Sequence, residues 1–157
     1  MMSTELAALF ARDLTRLVQQ LQAFPDDQSL WRTAPGVTNS AGNLALHLEG
    51  NLREFVGRQL GQIPFTRERP MEFSGKDVPA DELARRIEQV RDVVTQVVAS
   101  LPASALDLTY PENVLGLALT SRQFLMHLYG HLNYHLGQID YLRRVTTAAG
   151  AIPLAGL

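Results

Sequence analysis

Apolar side chains recur at spacings of three and four in four separate stretches of the chain, and polar or helix-breaking residues divide the stretches. Leu6, Phe10, Leu14 (or Asp13 on the same turn), Leu17, Leu21 and Phe24 share one helical face, which predicts a helix over residues 3–24. Pro25-Asp26-Asp27 ends it. A second helix is predicted over 38–60: Thr38, Asn39 and Ser40 are N-cap candidates, and Ala41, Leu44, Leu48, Leu52 and Phe55 form its apolar face. The third is the most regular. Leu83, Ile87, Val90, Val94, Val97 and Leu101 predict a helix over 80–101, with Pro79 and Asp81-Glu82 at its favoured start and Pro102 at its stop. The fourth is predicted over 120–147, opened by the capping-box pair Thr120 and Gln123, with a stripe of Phe124, Leu128, His131, His135, Gln138, Leu142 and Val145.

Four helices, each apolar on one side, bury those sides best against one another, so the pattern predicts an all-α four-helix bundle forming a single domain over residues 1–157. No alternating strand pattern competes, and there is no internal repeat. The connection through Trp31, Pro35 and Gly36 is irregular. The one punctuated by Gly61, Pro64, Pro70, Gly75 and Pro79 is long for a bundle, a length often found over functional sites. The small, apolar tail over 148–157 could dock on the bundle or on a partner subunit, or fray.

Composition narrows the function. With 46% hydrophobic and 19% charged residues and a formal net charge of −2, the chain has the make-up of a globular domain and carries no basic footprint for nucleic acid or an anionic membrane. No stretch approaches the roughly 18 apolar residues of a membrane span. The first ten residues lack the pattern of a secretory signal, so the expected location is the cytoplasm. Cysteine is absent. Disulfides, a thiolate nucleophile and Cys-based metal sites are thereby excluded, and any metal must be held by His, Asp, Glu or backbone oxygen.

The chemistry is expected where the fourth stripe turns polar between Leu128 and Leu142. A buried imidazole needs partners for its ring nitrogens or costs roughly 1–3 kcal/mol per unsatisfied group. His131 and His135, spaced i, i+4, stand about 6 Å apart along the helix axis on one face, within reach of one ion. From spacing alone, hydrogen bonding in the core explains the pair as well as a metal does. His47 lies mid-way along the second helix, where Leu44, His47 and Asn51 share a face, and it could complete a three-imidazole set if the second and fourth helices are neighbours. Three protein ligands leave positions open for water or substrate, the pattern of a reactive metal site. His127, also i, i+4 to His131, lies outside the stripe and is expected to support the site or face solvent.

Asn51 and Gln138 could bond a histidine ring or a substrate, or could satisfy each other or a loop carbonyl. Tyr134 and Glu54 are candidates for acid–base work, although isolated residues of these types on helices usually serve structure. No HExxH motif, no paired Glu-x-x-His arrangement and no Gly-rich phosphate loop occurs, which argues against a metalloprotease of the HExxH type, a di-iron carboxylate site and nucleotide hydrolysis.

The run His47-Leu48-Glu49-Gly50-Asn51-Leu52-Arg53, following Thr38-Asn39-Ser40, together with His131-Leu132-Asn133-Tyr134-His135-Leu136-Gly137-Gln138, resembles the DinB-like (YfiT-like) superfamily, and within it a branch with HLxGNLR and GHLxYHxGQ signatures. The resemblance covers nearly the whole chain. It implies an up-down-down-up bundle, frequent homodimers, and a divalent metal, zinc or nickel, on His47, His131 and His135. It also implies thiol-dependent chemistry, S-transfer or isomerisation with a low-molecular-weight thiol, in which the metal lowers the pKa of the thiol. The expected function is therefore a metal-dependent enzyme acting on a small-molecule substrate, by thiol transfer or by hydrolysis through activated water. The alternative is a non-catalytic metal- or small-ligand-binding stress-response protein.

Overall fold

A computed structural model describes residues 2–114 and 116–156. Four long helices carry the fold: α1 (Met2–Gln22), α3 (Ala41–Leu52), α5 (Ala80–Ser100) and α7 (Ser121–Thr147). Three short helices sit in the connections: α2 (Asp27–Leu30), α4 (Arg69–Ser74) and α6 (Ala103–Leu106). No strand occurs among the described residues. None of the helices is long and apolar enough to cross a membrane.

Local chemistry accounts for the helix ends. Ser40 is the N-cap of α3, its side chain accepting from the Asn43 N–H, so this helix starts later than residue 38. Thr120 and Gln123 form the expected reciprocal capping box at the start of α7. Ala148, in the left-handed region at φ 56°, ends α7. Past Leu52 the backbone of α3 widens into a π-helical stretch, Arg53–Arg58, in which the Gln59 and Gly61 N–H groups reach back five residues to Glu54 O and Val56 O.

Side-chain register fixes the topology. Met2, Asp13 and Gln20 of α1 meet Arg122, Tyr129 and Asp140 of α7, so these two helices run parallel. Glu49 meets Arg86, Arg53 meets Gln89 and Gly57 faces Val93, so α3 and α5 also run parallel. His47 meets His131 while Phe55 packs on Phe124, which makes α3 and α7 antiparallel. The result is the up-down-down-up bundle, in the spatial order α1, α5, α3, α7.

Phe10, Leu14, Leu17 and Leu21 meet Leu83, Ile87, Val90 and Val94 in the centre, all fully buried. The face of α7 differs from the sequence expectation. Its buried side runs Phe124, Leu125, Leu128, Leu132, Leu136, Ile139 and Leu142. His131 and His135 are half-buried on the flank of that face, next to α3, and Val145 is exposed. The histidines thus border the apolar core and do not interrupt it. Trp31, the only tryptophan, closes the seam between α2 and α3: its ring lies where a Cβ on Gly42 would sit, and its indole N–H donates to Val78 O at 3.2 Å.

Two buried polar clusters tie α1 to α7. Asp13, wholly buried, accepts from the Tyr129 hydroxyl at 2.6 Å and from Arg12 and Arg16. Arg143, also buried, donates to Gln20 Oε1 and to the Gly150 carbonyl. Together with Arg16 on Ala155 O and the Ala155 N–H on Gln19 Oε1, it docks the C-terminal tail on α1.

Burial pushes the Asp13 carboxyl up, but its hydrogen bonds with Arg12 and Tyr129 outweigh this and hold it below its ordinary value of 3.8. A carboxyl depressed by folding stabilises the native state above its unfolded pKa, and that contribution fades as pH falls through the folded value. Asp13→Ala is accordingly expected to lower unfolding free energy by about 1.5–3 kcal/mol at pH 7. In chemical denaturation series, the difference from the parent protein should shrink steadily below pH 4.

Candidate metal centre

Mid-way along α3, His47 points across the bundle at the flank of α7. There the i, i+4 spacing stacks His131 and His135 one turn apart. His131 Nε2 lies 3.1 Å from His47 Nε2 and 3.1 Å from His135 Nε2. One ligand atom from each ring falls within 4.8 Å of the others. Zinc–nitrogen bonds of about 2.0–2.1 Å at tetrahedral angles would set neighbouring donors roughly 3.3–3.4 Å apart, close to the two 3.1 Å separations that His131 makes. The expected neighbour relation between the second and fourth helices holds, and His47, His131 and His135 come together.

The outer nitrogens explain why the inner ones converge. His47 Nδ1 lies 2.8 Å from Glu72 Oε2, and His135 Nδ1 lies 2.6 Å from Gln138 Oε1. Both partners are acceptors, so each Nδ1 carries the proton and each Nε2 presents a bare lone pair. His131 Nε2 faces both lone pairs, and a proton on it could serve only one of them. Burial, reinforced by His135 and His47, pushes the His131 imidazole down to about 4, and burial also lowers His135 against the opposing effect of its hydrogen bond to Gln138. Inward-facing imidazole lone pairs repel one another unless a proton or a cation lies between them. The donor set therefore fits a divalent ion of the kind imidazole prefers.

Glu72 was not legible as a site residue. It sits on α4, inside the long connection between α3 and α5, and is buried. Arg67 donates to both its oxygens, at 2.6 and 2.9 Å. Burial pushes its carboxyl up, yet the hydrogen bonds from His47 and Arg67 win and hold it below the usual range. Gly50 makes room for this arrangement, because a Cβ at that position would fall inside the Glu72 carboxylate. Asn43 clamps the same segment, donating to Glu72 O and Gly75 O, and the Phe73 ring packs 5.0 Å from His47. A glycine within an otherwise good helix, where it costs about 1 kcal/mol relative to alanine, was the available signal that something approaches α3 closely.

The remaining candidates separate cleanly. Gln138 bonds a histidine ring. Asn51 is buried with its Oδ1 unpartnered, and so is His131 Nδ1. Glu54 is ion-paired to Arg58 within its own helix, which holds its carboxyl low despite burial. His127 is exposed and stacks on Phe124, outside the trio. Tyr134 is exposed, with its ring edge-on to His135 at 5.3 Å. Both Tyr134 and His135 line a cavity of about 580 Å³ that opens beside the trio between α7 and the segment leading into α3.

A family model described as the DinB superfamily matches residues 9–139. The chain is also similar to a solved structure titled as a DinB-like protein from Bacillus cereus. The TM-score is 0.66 with 21% sequence identity, covering 90% of this chain and 91% of the other. No protein of curated function matches significantly.

The carboxylate on His47 should govern metal affinity without touching the ion. Glu72→Ala is expected to weaken binding of Zn²⁺ or Ni²⁺ about 10–100-fold, measured by competition with a chromophoric chelator. Gly50→Ala should have a similar effect by displacing the carboxylate, while both variants keep their helical circular dichroism.

Proposed function

The chain belongs to the DinB superfamily, and from that premise we propose that it is a metal-dependent enzyme that activates a small thiol or a water molecule for attack on a second substrate. The observation that carries this reading is the convergence of three imidazole Nε2 atoms, one of them on His135, which also lines a cavity large enough for a small molecule. His47, His131 and His135 would hold one divalent ion, zinc or nickel. Bound there, the ion would supply Lewis acidity, lowering the pKa of a thiol or water at its open side.

The rest of the work falls to the chain. Glu72 and Arg67 lock the tautomer and angle of His47, and Gln138 does the same for His135. With His131 kept neutral by its surroundings, its Nε2 stays available as a ligand at physiological pH. Leu44 and Leu142 wall the cavity with apolar surface, excluding water from one side of a bound substrate. Tyr134, exposed with its ring edge-on to His135, borders the open side of the cavity. Thiol transfer is favoured over hydrolysis by the family resemblance, and a low-molecular-weight thiol is the proposed co-substrate.

The test is a panel of thiols with soft electrophiles, run on protein of measured metal content. Turnover should require the metal. His135→Ala should reduce it by more than about 100-fold, beyond the range of a supporting partner, with helical content unchanged. Fully loaded protein that turns over nothing, and loses only melting temperature on chelation, would mark a binding protein in place of an enzyme.

A further inference from the structure

The cavity beside His135 has a chemical character that goes beyond the histidine trio. Its walls include Ala34, Val37, Leu44, Leu142 and Val145, with the Tyr134 and Tyr141 rings also in its lining. No carboxylate, ammonium or guanidinium is among the residues that line it. The charged side chains of this part of α7 are engaged elsewhere. Asp140 accepts from Gln20, Arg143 is buried on Gln20 and the tail, and Arg144 lies over the Tyr141 ring and pairs with Asp140. An anionic group brought into this space would find no counter-charge among the residues that line it, and a cationic one would find no carboxylate there.

Among the polar residues of the wall, which also include Thr38, Asn39, Tyr134 and Tyr141, Gln138 is the one held in a fixed orientation beside His135. Gln138 uses its Oε1 as the acceptor for His135 Nδ1–H, which leaves its Nε2 as a donor, without a hydrogen-bond partner among the described residues, in the lining of the cavity. The amide is thus oriented by the histidine and offers its N–H groups to whatever sits next to that histidine. Its natural partner is a carbonyl-type oxygen.

We infer that this cavity binds the body of an uncharged, mainly apolar small molecule, whose carbonyl-type oxygen accepts a hydrogen bond from Gln138 Nε2 and whose reactive end faces His135. The inference rests on the trio being the reactive centre, and it names the class of electrophile that centre would act on. The volume, about 580 Å³, falls within the range of sites that enclose small organic ligands.

A matched pair of probes tests it: 2-acetylnaphthalene, a neutral ketone, and 2-naphthoate, an anion of nearly the same size and shape. Both are titrated into chelator-treated protein, where the carboxylate gains nothing from a metal, and followed by amide chemical shifts in ¹H–¹⁵N spectra. The ketone is expected to bind about 10-fold or more tightly than the anion, since the anion loses its hydration without a partner. Its shifts should cluster at residues 36–39 and 134–142. Gln138→Leu should weaken the ketone and leave naphthalene itself unaffected. Val145→Lys, at an exposed position of the lining, should reverse the preference toward the anion. Equal affinities, a preference for the anion, or shifts confined to another part of the surface would overturn the inference. So would the absence of binding by either probe in protein that sediments as a dimer with this face covered. Metal content is measured separately, so failure here leaves the metal reading standing, and failure of the metal reading leaves these affinities interpretable.

Discussion

An imidazole can give one nitrogen to a common centre only when its other nitrogen has somewhere to put a proton. That constraint organises the region between α3 and α7. Glu72 takes the outer proton of His47 and Gln138 takes that of His135, so two lone pairs are turned inward before any ion arrives. The third ring, His131, stands between them with its Nδ1 buried and unpartnered. Lone pairs turned toward one centre repel one another and are complementary to a positive charge, so the geometry fits a metal ion.

The supporting carboxylate is a consequence of topology. Because α3 and α5 run parallel, the chain must travel back along the bundle between them, and residues 61–79 make that journey. A short hairpin would have served an antiparallel pair. The return path crosses α3 beside His47, and α4 forms there, with Asn43 holding its backbone and Gly50 leaving space for the Glu72 side chain. The same topology sets α1 beside α7 in parallel, where Asp13 and Arg143 make the cross-links that an apolar interface would lack. Fold and site are therefore one problem: the connection the bundle needs is also the one that fixes the tautomer of His47.

Much of this was legible in the sequence, for physical reasons that can be named. The four long helices announced themselves through a period of three to four, and the Thr120–Gln123 box marked the start of α7 directly. His47, His131 and His135 stood out because histidine is scarce in this chain and two of the three share a helical face. Other features left weaker traces. The stripe drawn through Val145 was rotated off the true core face, since Leu125, Leu132 and Ile139 could not be ranked against the histidines by spacing alone. Asp13 looked like an alternative to Leu14 when both are buried. Glu72 was invisible because it lies on a helix of six residues, too short to show a period, and its partners Arg67 and His47 are joined to it only by the folded path of the chain.

Trp31 gives that path a voice of its own. It is the chain's single indole, wedged on Gly42 and hydrogen-bonded to Val78 at the far end of the returning segment. Its emission colour and anisotropy therefore act as a native optical gauge of whether that stretch is seated, with no dye or label required.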